Sequence, residues 1–487
     1  MEDPFSFVLF RGQVEIEGCM SSILSRSFNF LFRVDKQERV KLFFLTACYF
    51  FLIGSYTVIK EIKDSIFITV VGEDYLPWAK IAAIFVLIPA IIFYSYLVDK
   101  MRRYYLLYFY ASFFGIGGLC FAYFLSDPVI GIANTMSDPL RIFGWLFYFF
   151  VEGYSPFLIS VFWAFANSIT NPEAAKKSYG LMVSGSKLGG MITASLAWYL
   201  FDCKHLVNMT GVIKHQILLV VASLFLLFIP LFIYLLMKKV PGKFLHGYEA
   251  VYKVEKELSK EREREPEKEK VSLFSGLSLI LKQPYVLGIF SMIFFYEVIN
   301  VILSYQRLLL AKGSSSDISD LSCSLFKQIF MVHLIGCLIS LLGTNALLRI
   351  LGERRCLMLV PAVVGVLLFV FMLNNTFGVV GMVYIVLRAL NYAISYPVRE
   401  SLYIPTIKEI KFKSKSWIDS FGSKLAKGFG SGFNIFAKTV FNAHGLAAFM
   451  AIHYAFFAVA VSLWFIASYL LGNRFQKAVS RNEVIGA

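Results

Sequence analysis

Gly185-Ser186-Lys187-Leu188-Gly189-Gly190 returns later in the chain as Gly422-Ser423-Lys424-Leu425, followed by Ala426-Lys427-Gly428. Each copy lies in the fifth of a set of six apolar runs, so the repeat marks equivalent places in two halves. A second echo agrees. Asp99-Lys100-Met101-Arg102-Arg103 follows the second run of the first half, and Gly352-Glu353-Arg354-Arg355 follows the second run of the other. Four residues can recur by chance, but equivalent placement favours a duplicated unit.

The runs are long enough for a bilayer, which takes about 20 residues per helix. The first six cover residues 42–59, 81–98, 104–125, 142–165, 179–201 and 217–237. The second six cover residues 286–310, 325–348, 357–373, 379–396, 418–441 and 447–471. Between the sets lies the mixed-sign run 253–270, almost wholly Lys, Arg and Glu, which reads as a solvated helix or linker. Composition agrees with a membrane protein. Of 487 residues 58% are hydrophobic and 16% charged, and mean hydropathy is +0.67. That excludes a disordered chain and an ordinary soluble domain.

The fold class expected is therefore an all-α polytopic membrane protein of twelve transmembrane helices, major-facilitator-like, six plus six, with pseudo-twofold halves. Its parts are a segment 1–40, a bundle 41–237, a charged linker 238–283, a bundle 284–471 and a tail 472–487. Net charge is +15, and the surplus concentrates in alternate loops. The flank Arg33 to Lys41, the turn Lys100 to Arg103, the linker, the turn Arg349 to Arg355, the loop Lys408 to Lys415 and the tail are basic. The other loops carry Glu73 and Asp74, Asp127 and Asp138, or Asp317 and Asp320. By the positive-inside rule both termini face the cytoplasm.

Charges at membrane depth cost about 2.5 kcal/mol or more and are functional candidates by default. Lys60, Glu61, Lys63 and Asp64 continue the first run beyond Ile59. If the helix runs on, Lys60, Lys63 and Asp64 share a face; if it stops, they sit among headgroups. Glu152 and Glu297 lie within their spans beside aromatic residues, and each needs a partner or a proton. Lys187 and Lys424 read as near helix ends, with Lys427 one turn deeper in a Gly-rich helix. Arg388 and Arg399 add cations in and after the tenth run, and Asn167 offers an amide beside Trp163 and Phe165. Lysine point charges and an arginine fork among carboxylates suit an organic anion or phosphate ester. The span from Gly428 to Gly432 lacks the Gly-Lys-Ser/Thr order of a P-loop. Cysteines and histidines are dispersed, so neither metal site, redox pair nor other cofactor is expected. A membrane enzyme acting on phosphorylated lipid lacks the clustered base or metal ligands that it would need.

Four stretches carry a resemblance. They are Lys60-Glu61-Ile62-Lys63-Asp64; Phe162-Trp163-Ala164-Phe165-Ala166-Asn167-Ser168-Ile169-Thr170 with Glu173-Ala174-Ala175-Lys176; Pro397-Val398-Arg399-Glu400-Ser401-Leu402-Tyr403-Ile404-Pro405; and the run Ile418 to Gly428. From about Lys41 to Leu471 the chain resembles the nonmitochondrial ATP/ADP translocases, nucleotide transporters of intracellular bacteria and plastids. The resemblance implies ATP/ADP exchange, with nucleotides and the lipid bilayer as partners and no nucleic acid. It further implies a monomer, in a bacterial inner membrane rather than a plastid envelope, and four transport-linked charges at Lys63, Glu152, Glu297 and Lys427. Proton-coupled import is the alternative. Three positions depart from the family pattern: Lys60-Glu61 replaces Arg-Asp, Lys187 stands where Asn is usual, and Pro156 interrupts the fourth span. The expected substrate-binding set is Lys63, Glu152, Glu297, Lys427, Lys187, Asn167 and Arg388.

Overall fold

In a bilayer every backbone polar group must find a partner within the chain, which favours helices. In the computed structural model the described residues are predominantly helical. It describes residues 36–169, 172–202, 209–241, 275–339, 344–374, 376–403, 405–406, 410, 414–481, 483 and 485–486. The run 253–270, residues 1–35 and the lysines 408, 411 and 413 fall outside the described residues. Among those described, the only β pairing is an isolated bridge between Thr406 and Ile485.

The first half contains α1 (Lys36–Val70), α2 (Leu76–Lys100), α3 (Arg103–Phe124), α4 (Ile142–Tyr154), α5 (Ser160–Ile169), α6 (Pro172–Asp202) and α7 (Gly211–Lys239). The second contains α8 (Ser275–Lys282), α9 (Pro284–Gly313), α10 (Ile318–Leu338), α11 (Thr344–Leu373), α12 (Phe377–Leu390), α13 (Tyr396–Leu402) and α14 (Ser423–Ser480). Eight helices among the described residues are long and apolar enough to cross a membrane. Their outer faces expose large apolar side chains such as Tyr123, Phe369, Leu373 and Leu470, the surface a hydrocarbon solvent would cover.

One boundary differs from the sequence expectations. Helix α1 does not stop at Ile59: its 35 residues span about 52 Å at 1.5 Å each, so Lys60 to Asp64 lie inside a continuous helix. Two glycines in the left-handed region break long helical stretches: α11 divides at Gly352 (φ 70°) and α14 at Gly445 (φ 77°), so the runs 418–441 and 447–471 are separate helices as the sequence places them. That backbone region is open to glycine at little cost.

Within the first half, α1 packs on α6 and α7, and α3 on α7; within the second, α9 and α11 pack on α14. Small residues permit the close approach of α6 to α1. A Cβ on Gly189 would strike the Phe50 carbonyl, and one on Gly54 would lie 3.1 Å from Thr193. Such stripes are how membrane helices approach without a hydrophobic driving force. Lys41 anchors the start of α1, donating to Glu38 at 2.7 Å and to the Ile169 carbonyl at 3.1 Å.

Two joints inside the spans depart from α geometry. A π turn, Ser155–Ile159, links α4 to α5, and another, Asn391–Ser395, links α12 to α13. The first has an evident cause. Pro156 brings no N–H and its ring crowds the carbonyl four residues back, that of Glu152.

The halves meet along α6 with α10, α14 with α2 and α1 with α10. At the end bearing Glu73 and Asp74 their cores are continuous, since Tyr305, Leu308, Leu321 and Phe326 join the first-half cluster. The rest of the second half has its own core. Nearby, Arg141 ties down the loop before α4 through the carbonyls of Met136 (2.7 Å), Ile130 (3.0 Å) and Gly131. In the same loop the N–H groups of Ile130 (3.0 Å) and Val129 (2.8 Å) hold the Asp127 carboxyl below the usual carboxylate range.

Candidate functional site

The continuation of α1 past Ile59 carries Lys63 into the protein, where its side chain is 4% exposed. Its ammonium donates to Glu152 at 2.6 Å, lies 3.2 Å from Asp64, and rests 4.0 Å from the centroid of the Tyr148 ring. The other Glu152 oxygen accepts from Lys424 at 3.0 Å. Glu152 belongs to the first half and Lys424 to the second, so this carboxylate bridges them. A buried carboxylate survives as an ion only with such partners.

Lys424 lies at the start of its helix, as the sequence places it: α14 begins at Ser423, immediately after the π turn Ile418–Gly422, and from there the side chain crosses to Glu152 of the first half.

Glu297, on α9, has neutral direct partners. It accepts from Ser423 at 3.3 Å and from the Asn300 amide at 3.4 Å. Asn300 in turn accepts from the Arg388 Nε at 3.4 Å. Ser423 and Lys424 are adjacent, so a polar chain runs from Arg388 through Asn300 and Glu297 to Ser423, and on through Lys424 and Glu152 to Lys63. Lys427 makes no direct ion pair with a described residue. The carboxylate acting on it most strongly is Glu297, with Glu152 next.

Towards the Glu73 end the halves are fastened. Arg307 on α9 donates to Glu61 on α1 at 2.9 Å, with side chains 5% and 8% exposed. Tyr384 lies under the guanidinium at 4.1 Å. Beyond this, Lys312 pairs with Glu73 at 2.7 Å, Lys438 pairs with Asp74, and Tyr305 donates to the Glu73 carbonyl at 3.4 Å. His215 lies 2.8 Å from Ser322, which donates to Ser65 at 3.3 Å.

Of the expected set, the structure gathers Lys63, Glu152, Glu297, Lys427 and Arg388. Lys187 has no part in that chain of contacts; it lies 5.6 Å from the centroid of the ring of Tyr392, one turn beyond Arg388. Asn167 lies on α5, and its side chain is outside what the structure describes. Sequence reasoning missed Asn300, Ser423, Arg307 and the pairing of Glu61. The intramembrane charge of Arg307 was a usable signal; the two polar neutral residues gave none. A separate cavity of about 530 Å³ lies between α11 and α14, lined by Arg354, Arg355, Phe475 and Gln476, away from these charges.

The arrangement brings cations from both halves together around two carboxylates, Glu152 and Glu297. The sequence model of the TLC ATP/ADP transporters matches residues 20–132 and 140–475. This chain belongs to that family. It is a nucleotide transporter of the membrane and not an enzyme. Among curated relatives it is 24% identical over 468 residues to ADP,ATP carrier protein 4 of Rickettsia typhi, covering 85% of this chain and 87% of that one. It is 22% identical over 521 residues to ADP,ATP carrier protein 1 of Rickettsia prowazekii, covering 94% and 98%. Solved structures of similar fold include a D-xylose-proton symporter, with TM-score 0.60 and 15% identity over 89% of this chain and 96% of that one. A bacterial homologue of the human lysosomal transporter Spinster gives TM-score 0.54 and 13% identity over 90% and 99%. The fold is thus of the major-facilitator type.

Proposed function

We propose that the protein exchanges ATP for ADP across a bacterial inner membrane by alternating access, as a monomer of twelve transmembrane helices with both termini cytoplasmic. The basic loops support that orientation. In it, the fastened end with Glu73 and Asp74 is extracytoplasmic. The curated relatives are named as ADP,ATP carriers, which favours exchange.

One observation carries the mechanism: Glu152 holds Lys63 from its own half and Lys424 from the other. Lys63 and Lys427 contact phosphates when nucleotide is bound, and Glu152 and Glu297 neutralise the lysines when it is not. Parting the halves of an empty carrier strands part of this cluster, and leaving a buried charge unpaired costs about 3–5 kcal/mol. A bound nucleotide supplies the missing counter-charge, so reorientation proceeds loaded and exchange becomes obligatory. The test is reconstitution in vesicles with labelled ATP, other nucleotides and NAD, with and without internal ADP. Uptake that requires internal ADP supports exchange; uptake indifferent to it removes this reading.

A second reading is proton-coupled import, for which Glu297 is the residue to vary, since its direct partners are the neutral Ser423 and Asn300. Collapse of uptake by a protonophore at fixed internal ADP would support it.

A further inference from the structure

Three cations in the middle of the molecule have no carboxylate partner among the described residues, and each instead lies on a tyrosine. Lys60 sits 5.7 Å from the Tyr56 centroid, Lys187 5.6 Å from Tyr392, and Arg388 4.9 Å from Tyr384. A ring face attracts a cation by about 0.5–2 kcal/mol but leaves its charge intact. These three therefore differ from Lys63, Lys424 and Arg307, which are ion-paired with Asp64, Glu152 and Glu61.

His333, on α10, locates the three relative to one another. Its Nε2 is 3.4 Å from Thr57 Oγ1, one turn before Lys60 on α1. A Cβ on Gly190, one turn after Lys187 on α6, would lie 2.7 Å from its ring. Tyr392, which carries Lys187, is one turn after Arg388. All three cations act electrostatically on His333. So α1 and α6 of the first half, and α10 and α12 of the second, converge on one imidazole near three cations, none of them ion-paired with a described carboxylate.

The repeat explains why the charges are left over. Arg388 lies three residues before its π turn, as Glu152 does before the corresponding one. Lys187 is the counterpart of Lys424. Lys424 meets a carboxylate at the turn it reaches; Lys187 approaches a turn that carries an arginine. Tyr392 itself is 43% exposed.

We propose that Lys60, Lys187 and Arg388, gathered around His333, form the docking site for the phosphate chain of the nucleotide, before it engages the Lys63–Glu152–Lys424 cluster. Lysine point charges and an arginine fork drawn from three helices suit several linked phosphates better than a single carboxylate. The polar chain from Arg388 through Asn300 and Glu297 to Ser423 then links this site to the cluster that bridges the halves. The inference rests on the nucleotide-exchange reading for the identity of the ligand.

The test measures binding of inorganic tripolyphosphate, ATP and adenosine to the full-length protein in nanodiscs by calorimetry. Lys187→Gln is expected to weaken tripolyphosphate and ATP about tenfold or more, the scale of a charge-assisted hydrogen bond. Adenosine binding should not change, and Lys187→Arg should restore most of the loss. Tripolyphosphate binding within twofold of the parent, in a Lys187→Gln protein with parental melting temperature, overturns the proposal. If that variant does not fold, Lys60→Gln carries the same expectation and the same overturning result. Exchange that persists while tripolyphosphate binding ignores Lys187→Gln refutes the docking site alone. Binding that behaves as expected while uptake ignores internal ADP refutes the exchange reading alone.

Discussion

Glu152 and Arg388 occupy matching places in the two halves, each three residues before a π turn, yet they carry opposite charge. The consequence is visible in the lysines of the repeated Gly-Ser-Lys-Leu. Lys424 crosses to Glu152 and forms an ion pair at 3.0 Å, whereas Lys187 crosses towards the Arg388 helix and settles on Tyr392. Duplication has kept the backbone device and the reaching lysine but not the charge it meets. One crossing is a clasp between halves; the other leaves its lysine on a tyrosine face. A pair of identical crossings would give either two clasps with nothing to attract substrate, or two repelling sites with nothing to hold the halves.

That asymmetry can be broken in several ways. The largest effect is expected from Lys63→Gln, which removes the first-half partner of Glu152. ATP uptake into proteoliposomes should fall to background, and normal uptake by this variant would sink the role given to the cluster. Next in size is Glu61→Gln, which leaves Arg307 buried without its carboxylate. The fastened end should lose about 3–5 kcal/mol of stability, read as faster labelling of a cysteine placed near Glu73. Unchanged labelling would mean that the pair does not hold the halves together.

Arg388→Glu makes the second half resemble the first, by giving Lys187 a carboxylate. Nucleotide affinity should fall about tenfold or more while the protein still folds. Retained affinity would show that the unequal crossings do not matter to binding. Lys312→Ala is the small-effect control on the fastened end. Its partner Glu73 is 38% exposed, so the pair contributes about 0–1 kcal/mol, and melting should barely move. A shift as large as that of Glu61→Gln would contradict the contrast drawn between buried and exposed pairs.

The smallest effect concerns pH and the loop before α4. The Asp127 carboxyl is held below its usual range by Ile130 and Val129. Its contribution is fully present above the unfolded carboxylate pKa of about 3.9 and is lost as pH falls through the lower folded value. Amide exchange at residues 129 and 130 should therefore be insensitive to this group from pH 7 to pH 5 once intrinsic rates are removed, and faster in Asp127→Asn. Equal protection in that variant would leave the carboxylate without a part in ordering the loop.

Much of this was legible beforehand. Lys63, Glu152, Glu297 and Arg388 stand out because a charge within an apolar run has a cost that only burial with partners or water can meet. The Gly-Ser-Lys-Leu repeat pointed to two matching halves. The partners were not legible, because Glu152 and Lys424 are 272 residues apart, and Glu61 and Arg307 246 apart. Asn300 and Ser423 carry no burial cost large enough to mark them. The end of α1 was ambiguous for a different reason. Helical periodicity is equally satisfied by a span that stops at Ile59 and by one that continues, and only packing against the rest of the protein decides between them.

By itself, then, the sequence determined that the chain is helical and membrane-embedded and that a few charges are too expensive to be incidental, and its repeat pointed to two related sets. These follow from composition, run length and position, which need no knowledge of neighbours. Which cation is neutralised and which is left free was decided only by tertiary structure. A lysine's charge is the same in either repeat, and its availability depends on whether the helix across from it presents a carboxylate or a tyrosine face.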